Sequence, residues 1–505
     1  MTLSVTDCKQ CKTNTASPRN GYLYLITRGD TAIKTWNDLA KLGENEENRK
    51  AFVYKAIDWH KGTEAYQTAV AAQEYYNCLN PTIMHYEKVL YDMRGNKHTD
   101  YWAANHKIAS NFFNFAVTQE VQYLLGNGAI FGKDDTKRKL GGETTERHGR
   151  SYTFDAQLQE AAKKAIIGGV SFGFWNLDHL DVFELLDFVP LYDEDNGALR
   201  AGIRFWQIDG DKPLRATLYE ADGYTDYIRA NGGKIETLHE KTPYKVKVRV
   251  SLVDGEEIFE GDNYRDFPIV PLWGNDRHLS ELVGKRATLD AFDLLNSNLV
   301  NNVDEGNFIY WAITNCGGMT DEEDQRFLEK MRTMHVAHVD GDGTGGASVQ
   351  AHSVETPINA STEAIATIRA RLYEDFMCVN VSDITAGNKT ATEIKAAYQP
   401  LDSKCDALEY CIIDFVQKIL SLAGIVDNVS FKRSKIINQQ EDVATILAAA
   451  QYLDDDTVTE QICYLLGFGD QANEIIKRRR GEEVSRYALA KDGEDNGNDV
   501  DRRTR

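Results

Sequence analysis

Apolar residues recur every three or four positions along some stretches of the chain and cluster or alternate along others. That change of period marks helices and strands. From Arg49 to Leu79, Phe52, Ile57, Ala65, Val70 and Ala72 sit among charged and polar neighbours and predict a helix, which Asn80–Pro81 should end. A second helical run, Ala103 to Leu125, carries Ile108, Phe112, Phe115, Val117 and Val121 and stops at Gly126 and Gly128. Gln157 to Ile167 predicts a short third. Residues 1–48 read as mostly irregular, with a strand-like "GYLYLIT" at 21–27. Beyond "GGVSFGFWN", and as far as about Pro271, the pattern becomes that of strands. "FELLDFVPLYD", "LRAGIRFWQID", "LRATLYEADGYTDYIRA" and "YKVKVRVSLVDGEEIFEG" are rich in Val, Ile, Tyr, Phe and Thr and are parted by turns such as "DNG". They predict an antiparallel sheet domain with helices on it.

After a proline-rich connector, "FPIVPLWGND" (267–276), a long helix is predicted from His278 to about Asn302, with Leu279, Leu282, Leu289, Phe292, Leu295 and Leu299 as its stripe. A small α/β module follows. "NFIYWAITN", "HVAHVD" and "ASVQAHSV" read as strands and "TDEEDQRFLEKMRT" as a capped helix. Asn359 to about Val379 forms another helix, with Ile365, Ile368, Leu372 and Phe376 on one side. A polar loop, Val381 to Ala391, separates it from the longest helix, Thr392 to Leu422. There Ile394, Tyr398, Leu401, Cys405, Leu408, Ile412, Phe415, Ile419 and Leu422 recur at helical spacing, and Gly424 is a natural C-cap. Pro400 lies inside this helix, where it removes the hydrogen bond to the Ala396 carbonyl and predicts a kink. Two short helices, Asn438–Leu453 and Val458–Leu466, precede a tail at 491–505 that reads as disordered.

The chain has 505 residues, too many for one core, so several domains are expected. A run of about 18 or more apolar residues, the least a spanning helix needs, does not occur, and the N-terminus lacks a signal-peptide pattern. The formal charge of −21 excludes a protein that grips nucleic acid over its whole surface. Across 278–306 the acids Glu281, Asp290, Asp293, Asp304 and Glu305 outnumber the bases Lys285 and Arg286.

Motifs for chemistry are weak. Cys8 and Cys11 form a CxxC pair, but tetrahedral zinc needs four ligands and no second pair follows, so no metal is expected. "LGNGAIFGKDD" (125–135) departs from a phosphate loop in its glycine spacing and in Asp134 after Lys133. "VDGDGTGG" (339–346) has Asp340 and Asp342 but no bidentate Glu at the position a calcium loop requires. His335 and His338 fall on opposite faces of a predicted strand. Cys405 and Cys411 read as packing residues. Asp454, Asp455 and Asp456 read as an N-cap for the helix that follows. No catalytic constellation and no cofactor motif is found.

The order of these elements resembles that of the portal proteins of tailed bacteriophages, of the type common in phages of Gram-positive hosts. The resemblance covers roughly residues 49–485. It is carried by "HKIASNFFNFAVTQEVQYLLGNGAI" (106–130), by "FPIVPLWGNDRHLSELVGKRATLDAFDLLNSNLVNNVDE" (267–305) and by "DITAGNKTATEIKAAY" (383–398). It implies an α+β portal fold: a wing of helices plus antiparallel sheet at 1–277, stem helices at 278–306 and 358–380, a small α/β clip at 307–357, a tunnel loop at 381–391, a long kinked helix at 392–424 and a helical crown at 425–490.

The resemblance also implies a function and partners. About twelve subunits would close into a ring with a central channel for double-stranded DNA. The ring would dock the terminase large subunit, then the head-tail adaptor, and meet major capsid and scaffolding proteins. It would be no enzyme, in the virion after assembly in the host cytoplasm. Thr385, Gly387, Asn388 and Lys389 would contact DNA from the loop. Glu281, Asp290, Asp293, Asp304 and Glu305 would line the channel and repel it, Pro400 would kink the helix behind the loop, and no membrane would be involved. Two other readings are a ring-forming scaffold or adaptor without DNA passage, and a metal-dependent DNA-processing enzyme using Asp340 and Asp342 or Asp454–Asp456.

Overall fold

A computed structural model describes residues 34–306, 309–314, 320–326, 348–353, 358–385, 391–434 and 443–481, a few short stretches within these ranges excepted. The strand-like run at 21–27, Cys8, Cys11, His335, His338, Asp340, Asp342 and the tail at 491–505 lie outside them. The architecture is α+β, and the chain divides into two compact units: Met1–Asn380 with Gln399–Arg433, and Val381–Tyr398 with Ser434–Arg505.

The first unit opens with a short helix, α1 (Trp36–Ala40). The single helix expected over 49–79 is two, α2 (Glu46–Lys61) and α3 (Glu64–Tyr76). Gly62 closes the first, and the Thr63 hydroxyl accepts the N–H of Tyr66, so a new N-cap begins at once. Asn80–Pro81 also acts in the other direction from that expected. Asn80 accepts the N–H groups of Thr82 and Ile83, and Pro81 occupies the first helical position, so the pair opens α4 (Pro81–Met84). A hairpin, β1 (Val89–Tyr91) and β2 (Lys97–Thr99), precedes α5 (Phe112–Leu125). β3 (Ala129–Phe131), α6 (Asp135–Lys139) and the hairpin β4 (Thr145–Arg147) and β5 (Arg150–Tyr152) lead to α7 (Phe154–Gly168).

Strands follow where the pattern places them. β6 (Val170–Asn176) lies between β7 (His179–Glu184) and β15 (Ile269–Trp273), antiparallel to both, and α7 packs on this sheet. β8 (Phe188–Tyr192), β9 (Leu199–Trp206), β10 (Leu214–Glu220), β11 (Gly223–Arg229) and β12 (Ile235–Thr242) form an antiparallel meander, and β13 (Lys245–Val250) and β14 (Glu257–Asp262) form a hairpin. Alternate residues of the meander, among them Ala201, Ile203 and Phe205, meet Phe52, Val53, Ala56 and Ile57 of α2 in one buried cluster. Period two on the strands thus meets period 3.6 on the helix.

The remaining elements of this unit are α8 (Arg286–Gly306), the antiparallel pair β16 (Ile309–Thr314) and β17 (Ser348–Ser353), α9 (Ile358–Asp375) and most of a 33-residue helix, α11 (Ala391–Ala423). Between β16 and β17 the Thr320 N–H and hydroxyl both donate to Glu323, as the expected capped helix requires. Leu401, Cys405, Leu408, Ile412, Phe415 and Ile419 of α11 are buried, as their spacing predicts. The Phe415 ring lies over Gly173 of β6, where a Cβ would come within 2.4 Å of it, so only glycine lets helix and strand approach this closely. Beyond α11, β18 (Val429–Phe431) pairs with β3. The glycine-containing segment at 125–135 is therefore a strand edge, with the Lys133 ammonium donating to the Val426 carbonyl, and not a phosphate cradle.

The second unit holds α10 (Val381–Thr385), the start of α11 and α12 (Asp455–Leu465). Asp454 caps α12 by accepting the N–H of Thr457, while Asp455 and Asp456 in the first turn pair with Arg479 and Arg480. The three consecutive acids thus have structural partners, as the N-cap reading holds.

Candidate functional site: a polar seam and a buried charge quartet

The helix expected to start at His278 starts at Arg286. His278 and Gly284 both have positive φ, at 57° and 83°, which no α-helix tolerates. The intervening residues make turns docked on α7, the Glu281 N–H donating to the Ile166 carbonyl at 3.0 Å. Leu282 is still buried, but in this turn and not on a helix.

The expected helix from Ala103 is also shorter, because 103–111 forms no helix and α5 begins only at Phe112. Its backbone runs along α8. The His106 N–H donates to Asn301 Oδ1 at 2.7 Å, the Ile108 N–H to Ser297 Oγ at 3.0 Å and the Ser110 N–H to Asp293 Oδ1 at 3.0 Å. Two extended residues advance roughly 6.6 Å and four helical residues advance about 6.0 Å, so every second N–H meets every fourth side chain. The segment forms no helix because its donors find acceptors on α8 rather than four residues back.

Further contacts continue the same seam. Asp293 also accepts the Asn80 amide at 2.8 Å, Asp290 accepts the hydroxyls of Tyr75 and Thr82, and Asp304 meets His106 Nε2 at 3.2 Å. Asp293, Ser297 and Asn301 are 2%, 3% and 1% exposed, while Phe292, Leu295 and Leu299 are only half-buried and Val300 and Val303 are exposed. This helix buries its polar stripe, together with Leu289, in its own subunit and leaves the later part of its apolar stripe part-exposed. Burial pushes the Asp293 carboxyl up, and the donors from Asn80 and Ser110 pull it back.

This corrects the assignment of Glu281 and Asp293 to a channel wall. Glu281 and Asp293 are buried, and Asp290 and Asp304 are engaged by Tyr75, Thr82 and His106 of the same subunit. The physical reason is that buried backbone donors need acceptors, and short side chains four apart on a helix supply them. The Glu305 side chain lies outside the described residues.

α9 packs along α8, with the Thr288 hydroxyl donating to Asp375 at 3.2 Å and Leu372 fully buried. Thr362, Glu363, Ala366, Thr367, Arg369, Ala370 and Arg371 are exposed along α9. The hydroxyls of Thr362 and Thr367 donate back to the carbonyls of Ile358 and Glu363, each at 2.9 Å, and are so turned onto their own helix.

α5 holds the ends of these helices together through one face. Phe112 and Phe113 meet Phe376, and the Gln119 amide both donates to the Val379 carbonyl and accepts its N–H, at 2.9 and 2.8 Å. Beside it, starting at the next residue of α5, lies a buried quartet. The Lys404 ammonium, on α11, reaches Glu120 of α5 at 2.7 Å, Glu281 at 3.0 Å and the Phe376 carbonyl at 3.1 Å, and Lys285 also pairs with Glu281. Burial opposes the charge on Lys404, but Glu120 and Glu281 outweigh it and hold the ammonium protonated. Burial lifts the Glu120 carboxyl, with Lys404 acting against the shift, and the neighbouring Cys378 thiol is pushed up to about 12, chiefly by burial. Next along α11, Asp402 accepts from the Tyr123 hydroxyl and from Arg433, both at 2.7 Å, and Arg433 also binds Asp406 and Glu409.

Of the expected loop, Val381–Thr385 is helical, as α10. Gly387, Asn388 and Lys389 lie outside the described residues, as does the Thr385 side chain. Pro400 is exposed and inside α11, whose helical assignment runs through it, and the division between the two compact units falls at Tyr398/Gln399, one residue before it. Sequence reasoning missed Ser297, Asn301, Glu120 and Lys404. Only the Asp293–Ser297–Asn301 spacing carried a signal, a polar stripe on a helix otherwise read for its leucines. Among the described residues, no group of three or more His, Cys, Asp or Glu side chains could hold a metal, and no helix is long and apolar enough to cross a membrane.

The family described as "Phage portal protein, SPP1 Gp6-like" matches residues 56–453, a span that includes the meander, α8, α9 and all of α11. The chain is 22% identical over 449 residues to the portal protein of Bacillus phage SPP1, covering 83% of this chain and 84% of that one. It is 21% identical over 364 residues to the portal protein of Clostridium phage phiCD119, covering 67% and 77%. A chain in the neck of a native GTA particle aligns over 70% of this chain and 89% of its own, at 14% identity and a TM-score of 0.38. With most of its length inside one family match, the chain belongs to the SPP1 Gp6-like phage portal proteins, structural proteins of the virion whose copies form a ring around the channel used by DNA.

Proposed function

We propose that about twelve copies of this chain close the ring, that it docks the terminase large subunit during packaging and the head-tail adaptor afterwards, and that it assembles in the host cytoplasm with capsid and scaffolding proteins. It carries no reaction of its own. The wing is 1–277, the stem 278–306 and 358–380, the clip 307–357, the tunnel loop 381–391, the kinked helix 392–424 and the crown 425–490. The observation that carries this reading is the reversed stripe of α8. A helix whose polar side is satisfied within its subunit, with Phe292, Leu295 and Leu299 only partly buried and Val300 and Val303 exposed, is suited to pack against a neighbouring copy.

The channel wall is then not Glu281 or Asp293. An exposed strip of α9 fits it better, with Thr362 and Thr367, their hydroxyls turned onto their own helix, beside Ala366 and Ala370. The strip itself offers phosphates no cation, the exposed guanidiniums of Arg369 and Arg371 flank it, Arg371 being paired with Asp375, and a sliding polyanion must not be held. Thr385, Gly387, Asn388 and Lys389 supply the sparse contacts to DNA from the loop, and Pro400 bends the helix that carries it. The test is packaged genome length in particles bearing Thr367→Arg, against particles bearing Lys389→Glu or lacking 385–389. Shortened or stalled packaging in the first and altered retention in the others is expected. Full-length, stably held genomes in all three would remove both surfaces from the mechanism.

A further inference from the structure

We propose that Lys404 is a positioning residue, whose ion pair with Glu120 fixes the base of α11 in one register against α5 and the ends of the stem helices. The geometry is the basis. One ammonium, 11% exposed, touches Glu120 at 2.7 Å, Glu281 at 3.0 Å and the Phe376 carbonyl at 3.1 Å, so it touches α5, the turn before α8 and the end of α9 from a single point on α11. Phe415 over Gly173 and the Tyr123–Asp402 bond each tie α11 to one neighbour, whereas a shifted Lys404 ammonium loses its acceptors on three segments at once.

A buried ion pair of this kind adds little net stability over apolar residues of the same size, because desolvation offsets attraction; its attested use is to select one arrangement among several that pack equally well. The position on the chain gives that selection a purpose. Pro400 lies four residues before Lys404, and the residues from Tyr398 back to Val381 belong to the other compact unit. A fixed base at Lys404 means that any bending of α11 occurs N-terminal to it, at the carbonyl of Ala396 that Pro400 leaves without its helical donor.

The test compares Lys404→Met with the double variant Glu120→Gln/Lys404→Met, each in the full chain. The single variant leaves Glu120 buried without its cation and should unfold at markedly lower denaturant. The double variant keeps the Glu281–Lys285 pair and should regain wild-type stability or exceed it. Spin labels at Gln122 of α5 and Tyr410 of α11, both exposed, then report the register. One narrow distance population is expected in the wild type, and a broadened or second population in the double variant. A narrow, unchanged distance in a stable double variant overturns the proposal, and so does a double variant no more stable than the single one. Packaged genome length rests on the portal reading and serves as a second readout. The spin-label distances test the positioning role alone.

Discussion

The meander and the stem helix α8 are held by opposite means. In the meander, Phe188, Ile203 and Leu218 are fully buried, and alternate strand residues face α2 across an apolar core. On α8 Asp293, Ser297 and Asn301 are buried as deeply as Leu289, and the rest of its apolar stripe is part-exposed. The first region is finished within one subunit. The second is satisfied in its hydrogen bonds but not in its apolar surface, the condition of an element that completes itself against another copy. The contrast also separates two kinds of robustness. Apolar packing tolerates exchange of one shape for a similar one, whereas a buried donor has no substitute for its acceptor.

The contrast can be broken from either side. Phe188→Ala in the meander should cost about 3–5 kcal/mol, seen as an earlier denaturant midpoint, with the seam amides of His106, Ile108 and Ser110 exchanging no faster than global unfolding requires. Asp293→Ala should cost less, about 1–3 kcal/mol, but its effect should be local. The Ser110 N–H and the Asn80 amide lose their acceptor, so hydrogen exchange should rise at 105–111 while the meander stays protected. Equal exchange in both regions would deny that they are separate.

The smallest effect concerns Asp187, whose carboxyl accepts the Glu184 N–H at 2.8 Å beside the meander. Burial, with the nearby Glu184 charge, raises it from 3.8 to about 6. The folded state therefore binds this proton more tightly than the unfolded one, and the stability it contributes is present at low pH and lost as pH rises from about 4 to about 6. Asp187→Asn should remove that slope. A wild type and variant with parallel stability curves across this window would show that the carboxyl is not held in this way.

The two regions were also unequally legible. Alternating Val, Ile, Tyr and Phe announce the strands of the meander because each residue's own chemistry decides which side it faces. The seam is invisible to that reasoning. Its donors are backbone N–H groups, which no residue type marks, and its partners are 183 to 195 positions apart. The period of the leucines on α8 was read correctly, but the side they occupy was not, because a helix stripe says nothing about whether its cover comes from the same chain. The late start of α8 turns on the positive φ of His278 and Gly284, of which only the glycine was a signal. The overall order of elements was readable, and it pointed to the right family. Glu281 and Asp293 are buried where a channel wall was expected, because a count of charge carries no direction.

The central claim is that the part-exposed stripe of α8 is covered by neighbouring copies in a closed ring. End-on images of single particles of the purified full chain test it most directly. The predicted result is a ring of about twelve copies around an open centre, lost when Leu295 and Leu299 are both replaced by Glu. Rings that survive this double substitution, or a wild-type chain found only as monomers without a central opening, would contradict it.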